Sequence, residues 1–252
     1  TGASYLWSNN ETTQSISATM TGNYSVEVTD SNGCKGTSTA VIVTENPLPT
    51  PIVNESGATT FCSGGSVMLS SSVTGASYLW SNNETTQSIS ATMTGNYSVE
   101  VTDSNGCKGT STAVIVTENP LPTPTVNESG ATTFCSGNSV TLSSSITGVS
   151  YLWSNNETTK SISATTTGNY SVEVTDANGC KGTSTAVNIT VNPLPLPIVN
   201  ASGVTTFCSG NSVTLSSSFT GVSYLWSNNA TTQSISATTT GNYSVEVTDA
   251  NG

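Results

Sequence analysis

The sequence predicts an all-β chain made of tandem sandwich modules, and three observations support this prediction. The phrase Ser-Tyr-Leu-Trp-Ser-Asn-Asn occurs four times at intervals of 73 residues, with its tryptophans at Trp7, Trp80, Trp153 and Trp226. Several segments alternate apolar and polar residues with the period of two that a half-buried strand requires. No segment shows the 3.6-residue apolar period of a helix. A chain organised in this way is an array of one small module.

The phrase Asn-Pro-Leu-Pro marks the boundaries between modules. Residues 1–45 are identical to residues 74–118, and residues 46–118 differ from residues 119–191 at 11 of 73 positions. We therefore predict module 1 (1–45, the C-terminal part of a repeat), module 2 (46–118), module 3 (119–191) and module 4 (192–252, a repeat without its last strand). We expect the sequence to be a segment of a longer array. A module of this size buries only a modest core.

The strands of module 2 follow from its alternating segments. We predict an inward face that consists of Leu69, Tyr78, Trp80, Tyr97, Val99 and Val101. Differences between modules 2 and 3 support this assignment, because Ile52, Met68 and Ile115 are replaced by polar residues, and all three lie on the predicted solvent face. A polar group on the buried face would lose its water partners. The Asp103–Gly106 segment supplies the Asn-Gly pair of a tight hairpin turn.

The order of these features resembles an immunoglobulin-type sandwich. Gly65–Leu69 is similar to strand B, Trp80 to the buried tryptophan of strand C, and Tyr97 to the tyrosine-corner residue of strand F. Where antibody domains place their inter-sheet cysteines, this chain has Ser71 and Val99. The resemblance therefore implies tandem immunoglobulin-like modules of 73 residues arranged end to end, without the antibody disulfide.

A closer resemblance rests on Phe61-Cys62-Ser63-Gly64, Tyr78-Leu79-Trp80-Ser81-Asn82 and the segment from Gly95 to Cys107. Together they are similar to bacterial Ig-like surface repeats in giant secreted proteins, including the gliding adhesins exported by the type IX secretion route. This resemblance covers every module. It implies an extracellular, cell-surface location and a role as a stalk or adhesive filament in cell adhesion and gliding motility.

Six cysteines occupy two phases of the repeat: Cys62, Cys135 and Cys208 in one, and Cys34, Cys107 and Cys180 in the other. Such regularity in small Ser/Thr-rich modules suggests disulfides and an oxidising setting. Two pairings remain open, Cys62–Cys107 within module 2 and Cys62–Cys180 between modules 2 and 3. The immunoglobulin topology implies that the two cysteine phases lie at opposite ends of a module, which favours the pairing of Cys62 with Cys180. The same rule pairs Cys135 with position 253, and the absence of a Cys-x₂-Cys pair or a histidine argues against zinc.

Three other repeated features are candidates for function. The turn aspartates are weak calcium candidates, and an Asp that stabilises its own turn by side-chain hydrogen bonding is the preferred interpretation: Asp30, Asp103, Asp176 and Asp249. Outward-pointing leucines are candidates for lateral contact between filaments or are simply tolerated at the surface: Leu6, Leu79, Leu152 and Leu225. Alternating prolines at each module boundary predict an extended, semi-rigid spacer, with an edge-strand start as the alternative.

Composition excludes several function classes. The net charge is −11, with four lysines and neither arginine nor histidine, so we expect no nucleic-acid partner and no direct membrane insertion of this segment. Without an imidazole base or an activated serine we predict no enzyme activity and no cofactor. The predicted function is a non-enzymatic stalk or filament segment. Its expected partners are neighbouring repeats, other copies of the filament or surface glycans. A tandem glycan-binding array, with Trp80-type rings stacking on sugars, is the alternative.

Overall fold

In the computed structural model the described residues, 3–251, contain 28 strands and no helix. Residues 1, 2 and 252 of the terminal modules lie outside this range. The chain divides into two compact units, Thr1–Glu118 and Asn119–Gly252, so the division falls between modules 2 and 3. Each unit is described by itself below.

Modules 1 and 2 contain the first 14 strands. The strands of module 1 are β1 (Ser4–Trp7), β2 (Gly22–Tyr24), β3 (Val26–Thr29), β4 (Lys35–Thr37) and β5 (Val41–Val43). Those of module 2 are β6 (Val53–Glu55), β7 (Thr60–Cys62), β8 (Val67–Ser71), β9 (Ser77–Trp80), β10 (Ser88–Ala91), β11 (Gly95–Tyr97), β12 (Val99–Thr102), β13 (Lys108–Thr110) and β14 (Val114–Asn119).

Modules 3 and 4 contain the remaining strands. The strands of module 3 are β15 (Val126–Glu128), β16 (Thr133–Cys135), β17 (Val140–Ser144), β18 (Ser150–Trp153), β19 (Ser161–Ala164), β20 (Gly168–Tyr170), β21 (Val172–Thr175), β22 (Lys181–Thr183) and β23 (Val187–Asn192). Those of module 4 are β24 (Val199–Ala201), β25 (Val213–Ser217), β26 (Ser223–Trp226), β27 (Ser234–Ala237) and β28 (Val245–Thr248).

Modules 2 and 3 share one strand arrangement. In module 3 one face is the sheet β15-β17-β19, and the other combines β18-β21-β22 with β16-β23-β20. Module 2 has the same three groups, β6-β8-β10, β9-β12-β13 and β11-β14-β7. This is the immunoglobulin arrangement, in which strands A, B and E oppose strands C, F and G. The predicted fold class, all-β with immunoglobulin-like sandwich modules, is therefore confirmed.

Two details of modules 2 and 3 go beyond a simple antiparallel sandwich. Modules 2 and 3 each contain nine strand segments, because the sixth and seventh strands of the sandwich are both interrupted. In addition, β16 pairs in parallel with β23, so that Cys135 lies opposite Asn192. A segment of three residues is too short to show alternation, so its sequence does not indicate the direction of its pairing.

The core of each complete module lies between the two faces. In module 2 the side chains of Leu69, Trp80, Val99 and Val101 are 0–1% exposed, Tyr97 is buried, and Tyr78 packs against them from the edge. Burying one large apolar side chain contributes about 1.5–3 kcal/mol. The Trp80 indole N–H donates to the carbonyl oxygen of Thr86 at 2.8 Å, so the polar atom of the ring is also satisfied.

The residues that change from apolar to polar between modules 2 and 3 lie on the outside, as predicted. Ile52, Met68 and Ile115 of module 2 are 62%, 57% and 68% exposed. Val116, on the opposite side of the strand from Ile115, is fully buried, and its counterpart Ile189 remains apolar. The alternation of the sequence therefore assigns the correct face of β8 and β14.

Two hydrogen bonds fix the path of the paired strands around the core. The Tyr97 hydroxyl donates to the carbonyl oxygen of Met93 at 3.1 Å, which is the contact that defines a tyrosine corner. The buried hydroxyl oxygen of Ser111 accepts from the backbone N–H of Val99 at 3.0 Å. This second bond gives the backbone N–H of Val99 an acceptor at the point between the end of β13 and the start of β14.

Candidate functional site

The two ends of a complete module carry its chemically distinctive residues. At one end is the turn between β12 and β13, which contains Asp103 and precedes Cys107. At the other end β14 leads into the next proline-rich segment. The residues of both ends recur at a step of 73 positions. The candidate functional site is therefore the pair of module ends.

The turn aspartates accept hydrogen bonds from the backbone of their own turns. One carboxylate oxygen of Asp103 accepts the backbone N–H groups of Asn105, at 2.8 Å, and Cys107, at 2.9 Å. Asp30 and Asp176 make the same two bonds, and Asp249 accepts from Asn251. Among residues 3–251 no group of three or more His, Cys, Asp or Glu side chains could hold a metal ion. This geometry supports the turn-stabilising interpretation of the four aspartates.

The backbone donors also change the acidity of one of these groups. The N–H groups of Cys34 and Asn32 lower the pKa of the Asp30 carboxyl below its usual value, because they stabilise the ionised form. The carboxyl of Asp30 is fully exposed, so this effect is local to the turn.

The proline segment lies against its own module. Along residues 47–51 the prolines become progressively less exposed, and Pro51 is buried. The carbonyl oxygen of Pro49 approaches Gly109 so closely that a Cβ atom at this glycine would lie 1.8 Å from it. Gly182 and Pro122 of module 3 repeat the contact at 1.7 Å. The proline segment of module 2 therefore packs on β13, and that of module 3 packs on β22.

This packing was missed at the sequence level, although a signal for it existed. Lys-Gly-Thr places a glycine in the middle of an otherwise ordinary strand, and such a glycine often marks a close backbone approach. The equivalent Gly36 of module 1 has no atom within 4 Å of its ideal Cβ position.

The cysteines of the two phases lie at opposite ends of a module. The Sγ atom of Cys107 lies 3.9 Å from the carbonyl oxygen of Asn46, at the start of module 2. Cys135 lies opposite Asn192, where module 3 ends. Cys62 and Cys180 are disulfide-bonded, whereas Cys34, Cys107 and Cys208 carry free thiols. The pairing of Cys62 with Cys107 within module 2 is therefore absent.

The junction between modules 3 and 4 lies inside one unit. There the Sγ atom of Cys135 lies 3.8 Å from the carbonyl oxygen of Asn251, in the turn that follows β28. A cavity of about 510 Å³ adjoins Cys135 and is lined by Leu194, Pro195, Pro197 and residues 245–249. Within this unit, Cys135 of module 3 thus faces the turn of module 4.

The tryptophan rings are not available for stacking on a sugar in modules 2, 3 and 4. Trp80, Trp153 and Trp226 are each 1% exposed. The neighbouring Leu79 is 47% exposed and lies opposite Glu100, which forms a surface ion pair with Lys108 at 2.6 Å. Equivalent leucines have nearly the same exposure: Leu6, Leu152 and Leu225. Each such leucine is an isolated apolar side chain beside charged groups.

The terminal modules contain open clefts where the complete modules are closed. In module 4 a cleft of about 590 Å³ is lined by residues that include Leu215, Ala237 and Tyr243. Their counterparts in module 3 pack in one cluster with the fully buried Ile189 of β23. This cleft thus lies at positions that correspond to the cluster around Ile189 in module 3.

Comparisons with known proteins gave weak structural likenesses only. No protein-family model matches the chain, and no curated protein matches it. A structure of murine CEACAM1b is 15% identical, covers 57% of this chain and 99% of its own, and has a TM-score of 0.28. The Bacteroides ovatus mixed-linkage glucan utilization locus SGBP-B, in complex with a mixed-linkage heptasaccharide, is 14% identical, with coverages of 98% and 81% and a TM-score of 0.22.

A third likeness is to the N-terminal eight Ig domains of the Down Syndrome Cell Adhesion Molecule. It is 13% identical, covers 89% of this chain and 42% of its own, and has a TM-score of 0.32. Similarities at this level carry no argument about the function of the chain. The assignment to immunoglobulin-like modules rests on the strand pairing described above. Within residues 3–251 no helix is long and apolar enough to cross a membrane.

Proposed function

We propose that this chain is a non-enzymatic repeat segment of a long extracellular cell-surface filament or adhesin stalk, which acts by length, stiffness and multivalent contact. One observation carries this proposal. Modules 2 and 3 repeat the same closed core, with Trp80 and Trp153 both 1% exposed, and the residues that change from apolar to polar between them, such as Met68, lie on the outer faces. Repeating a closed module multiplies length and surface area.

The surface of the modules supports an extended array. The net charge is −11, and the lysines of β4, β13 and β22 form exposed ion pairs with glutamates of the neighbouring strand. Exposed pairs of this kind contribute little to stability, about 0–1 kcal/mol. Repulsion between modules of like charge favours separation over collapse. The proline segments of modules 2 and 3 pack on their own modules.

The extracellular location is supported by the cysteines. Cys62 and Cys180 are disulfide-bonded, and disulfides persist mainly in oxidising compartments. We propose the module boundaries 1–45, 46–118, 119–191 and 192–252. The similarity to gliding-adhesin repeats makes export by the type IX route the specific form of the proposal. Its partners would be neighbouring repeats and other copies of the filament, and multivalency would multiply weak contacts.

Small-angle X-ray scattering of the 252-residue chain tests the proposal. A compact globule of this length has a radius of gyration of about 18 Å. One module is roughly 30 Å long, from nine strand residues at about 3.3 Å each, so four modules in line give a radius of gyration of roughly 30 Å or more. A measured value near that of the globule would refute the stalk.

A glycan-binding screen with the same protein tests the alternative function. Because the rings of modules 2, 3 and 4 are buried, we expect no saturable binding to surface polysaccharides and no change in tryptophan emission on their addition. Saturable binding with a change in emission would favour the glycan-binding array over a passive stalk.

A further inference from the structure

We infer that a second copy of this chain pairs, strand against strand, along the sheet edge formed by β10, β19 or β27. Each of these strands has the sequence Ser-Ile-Ser-Ala, and among the strands of residues 3–251 each is bonded to one neighbour only. The neighbours are β8, β17 and β25. An open strand edge is a template for pairing with another chain. The inference deepens the proposed function, which names other copies of the filament as partners.

The register of module 3 identifies the backbone groups at this edge. The N–H of Ser144 donates to the carbonyl oxygen of Lys160 at 3.0 Å, so these two residues form a hydrogen-bonded pair. Bonded and non-bonded pairs alternate along an antiparallel ladder, which places Ser161 and Ser163 at non-bonded positions. The N–H and C=O groups of both serines therefore point away from β17.

Most of these outward groups are open. The carbonyl oxygen of Ser161 accepts the Thr159 hydroxyl at 2.7 Å, but within residues 3–251 the N–H groups of Ser161 and Ser163 have no acceptor. Modules 2 and 4 have the same alternation, fixed by equivalent 3.0 Å bonds: Ser71 N–H to Gln87 C=O, and Ser217 N–H to Gln233 C=O. Their outward residues are Ser88 and Ser90 in β10, and Ser234 and Ser236 in β27.

The other edges of module 3 are protected against such pairing. Natural sheets protect their edges with charges, prolines or covering segments. Strand β22 carries Lys181, which forms an ion pair, and lies under the Pro122 segment. Strand β15 carries the exposed Glu128. In β18 the outward N–H of Trp153 is used in the following turn, where it donates to the carbonyl oxygen of Glu157 at 2.8 Å.

Strand β19 has none of these protections. Its Ile162 is 3% exposed and belongs to the core, while Ser161 and Ser163 are exposed and uncharged. The preceding Lys160 donates to the hydroxyl of Thr147 in its own module at 3.1 Å. The edge therefore presents a regular strand without a charge or a proline.

A second copy fits this edge by symmetry and by charge. In an antiparallel pairing about a two-fold axis, Ser161 of each copy lies opposite Ser163 of the other, and each of their N–H groups meets a carbonyl oxygen. Ile162 of both copies then stays on the core side of a continuous sheet. The chain has a net charge of −11, so copies approach with least repulsion at an uncharged edge. A contact of four residues is weak, and its repetition in modules 2, 3 and 4 multiplies it.

Sedimentation velocity of the whole chain over a range of concentrations tests the inference. The thiols of Cys34, Cys107 and Cys208 are alkylated first, so that they form no covalent dimers. We expect a sedimentation coefficient that rises with concentration. The rise should be larger at an ionic strength of about 0.15 M than at about 0.01 M, because the screening length falls from about 30 Å to about 8 Å. A coefficient that is independent of concentration at both ionic strengths would overturn the inference.

Proline variants locate the contact. Proline removes a backbone N–H and is tolerated on an edge strand where that N–H faces solvent. The triple variant Ser90→Pro, Ser163→Pro, Ser236→Pro should lose the rise in sedimentation coefficient. The matched control has proline at outward positions on the opposite edge of the same sheets and should retain it: Glu55→Pro, Glu128→Pro, Ala201→Pro. Association that persists in the first variant, or that disappears in the control, refutes pairing at β10, β19 and β27.

Hydrogen exchange of the parent chain gives a result that depends on no variant. The N–H of Ser163 faces water in a single chain, whereas the N–H of Ile162 is bonded to β17. Raising the concentration should slow exchange at Ser163. Exchange at Ser163 that stays the same while the chain associates would place the contact elsewhere and overturn the inference. Scattering from dilute single chains tests the stalk and sedimentation tests the pairing, so the two proposals can fail separately.

Discussion

Replacing Gly109 by alanine should destabilise module 2, although glycine-to-alanine changes in strands are usually harmless. An added Cβ would lie 1.8 Å from the carbonyl oxygen and 2.8 Å from the carbonyl carbon of Pro49. Both are backbone atoms, so the proline segment must leave its place or the strand must move. Overpacking of this kind costs about 1–3 kcal/mol, and the rigid neighbour places this site near the upper value, about 3 kcal/mol.

The repeat supplies its own controls. Gly182→Ala meets Pro122 at 1.7 Å and should weaken module 3 by a similar amount. Gly36→Ala, at the same position of module 1, meets no atom within 4 Å. It should be neutral or stabilising by about 0.4–1 kcal/mol, because alanine restricts the unfolded chain. Gly109→Ala and Gly36→Ala have the same sequence neighbours, but only Gly109→Ala should lower the free energy of unfolding.

Fluorine NMR of chains labelled with 5-fluorotryptophan measures each module separately. The chain has one tryptophan per module, so four resonances follow four unfolding transitions in urea. With a denaturant slope of about 1–1.5 kcal/mol per molar for a small module, the transition of module 2 should move down by roughly 2–3 M in Gly109→Ala. If Gly109→Ala and Gly36→Ala behave alike, the proline segment does not pack on β13 and this account of the module entrance is wrong.

Three other predictions concern the core and the turn. Trp80→Ala should destabilise module 2 by about 3–5 kcal/mol, while the adjacent but half-exposed Leu79→Ala should cost less than about 1 kcal/mol, both measured by urea unfolding. Ser111→Ala removes the acceptor for the buried N–H of Val99 and should cost about 1–3 kcal/mol in the same assay, with faster hydrogen exchange at that amide. The pKa of Asp30 is lowered in the folded turn. The ionised carboxylate should therefore stabilise the fold above the usual carboxyl pKa, and this stabilisation should be lost as the pH falls through the lowered pKa. An NMR titration of the Asp30 carboxyl carbon that gave a normal or raised pKa would contradict this prediction.

The sequence predicted the faces of the strands well because burial constrains both members of an alternating pair. Met68 and Ile115 tolerate polar replacement since they face water, and Leu69 and Val116 remain apolar since they face the core. The turn aspartates were also interpretable, because an Asx turn is a local structure that depends on a few neighbouring residues.

Other features depend on partners distant in the sequence and were not predictable from local patterns. The parallel pairing of β16 with β23 joins segments more than 50 residues apart, and no alternation marks a strand of three residues. The contact of Pro49 with Gly109 is equally distant, and only the isolated strand glycine indicated it. The contact of Cys135 with Asn251 reflects the meeting of two modules, which local sequence patterns do not describe.

Acrylamide quenching of tryptophan fluorescence tests the central claim most directly, namely that two sheets enclose the aromatic face of each module. Trp80, Trp153 and Trp226 are 1% exposed and Trp7 is partly exposed, so we expect blue-shifted emission with only a minor fraction open to the quencher. Emission near that of free tryptophan, with all four rings quenched alike, would show that the rings face water and would contradict the account.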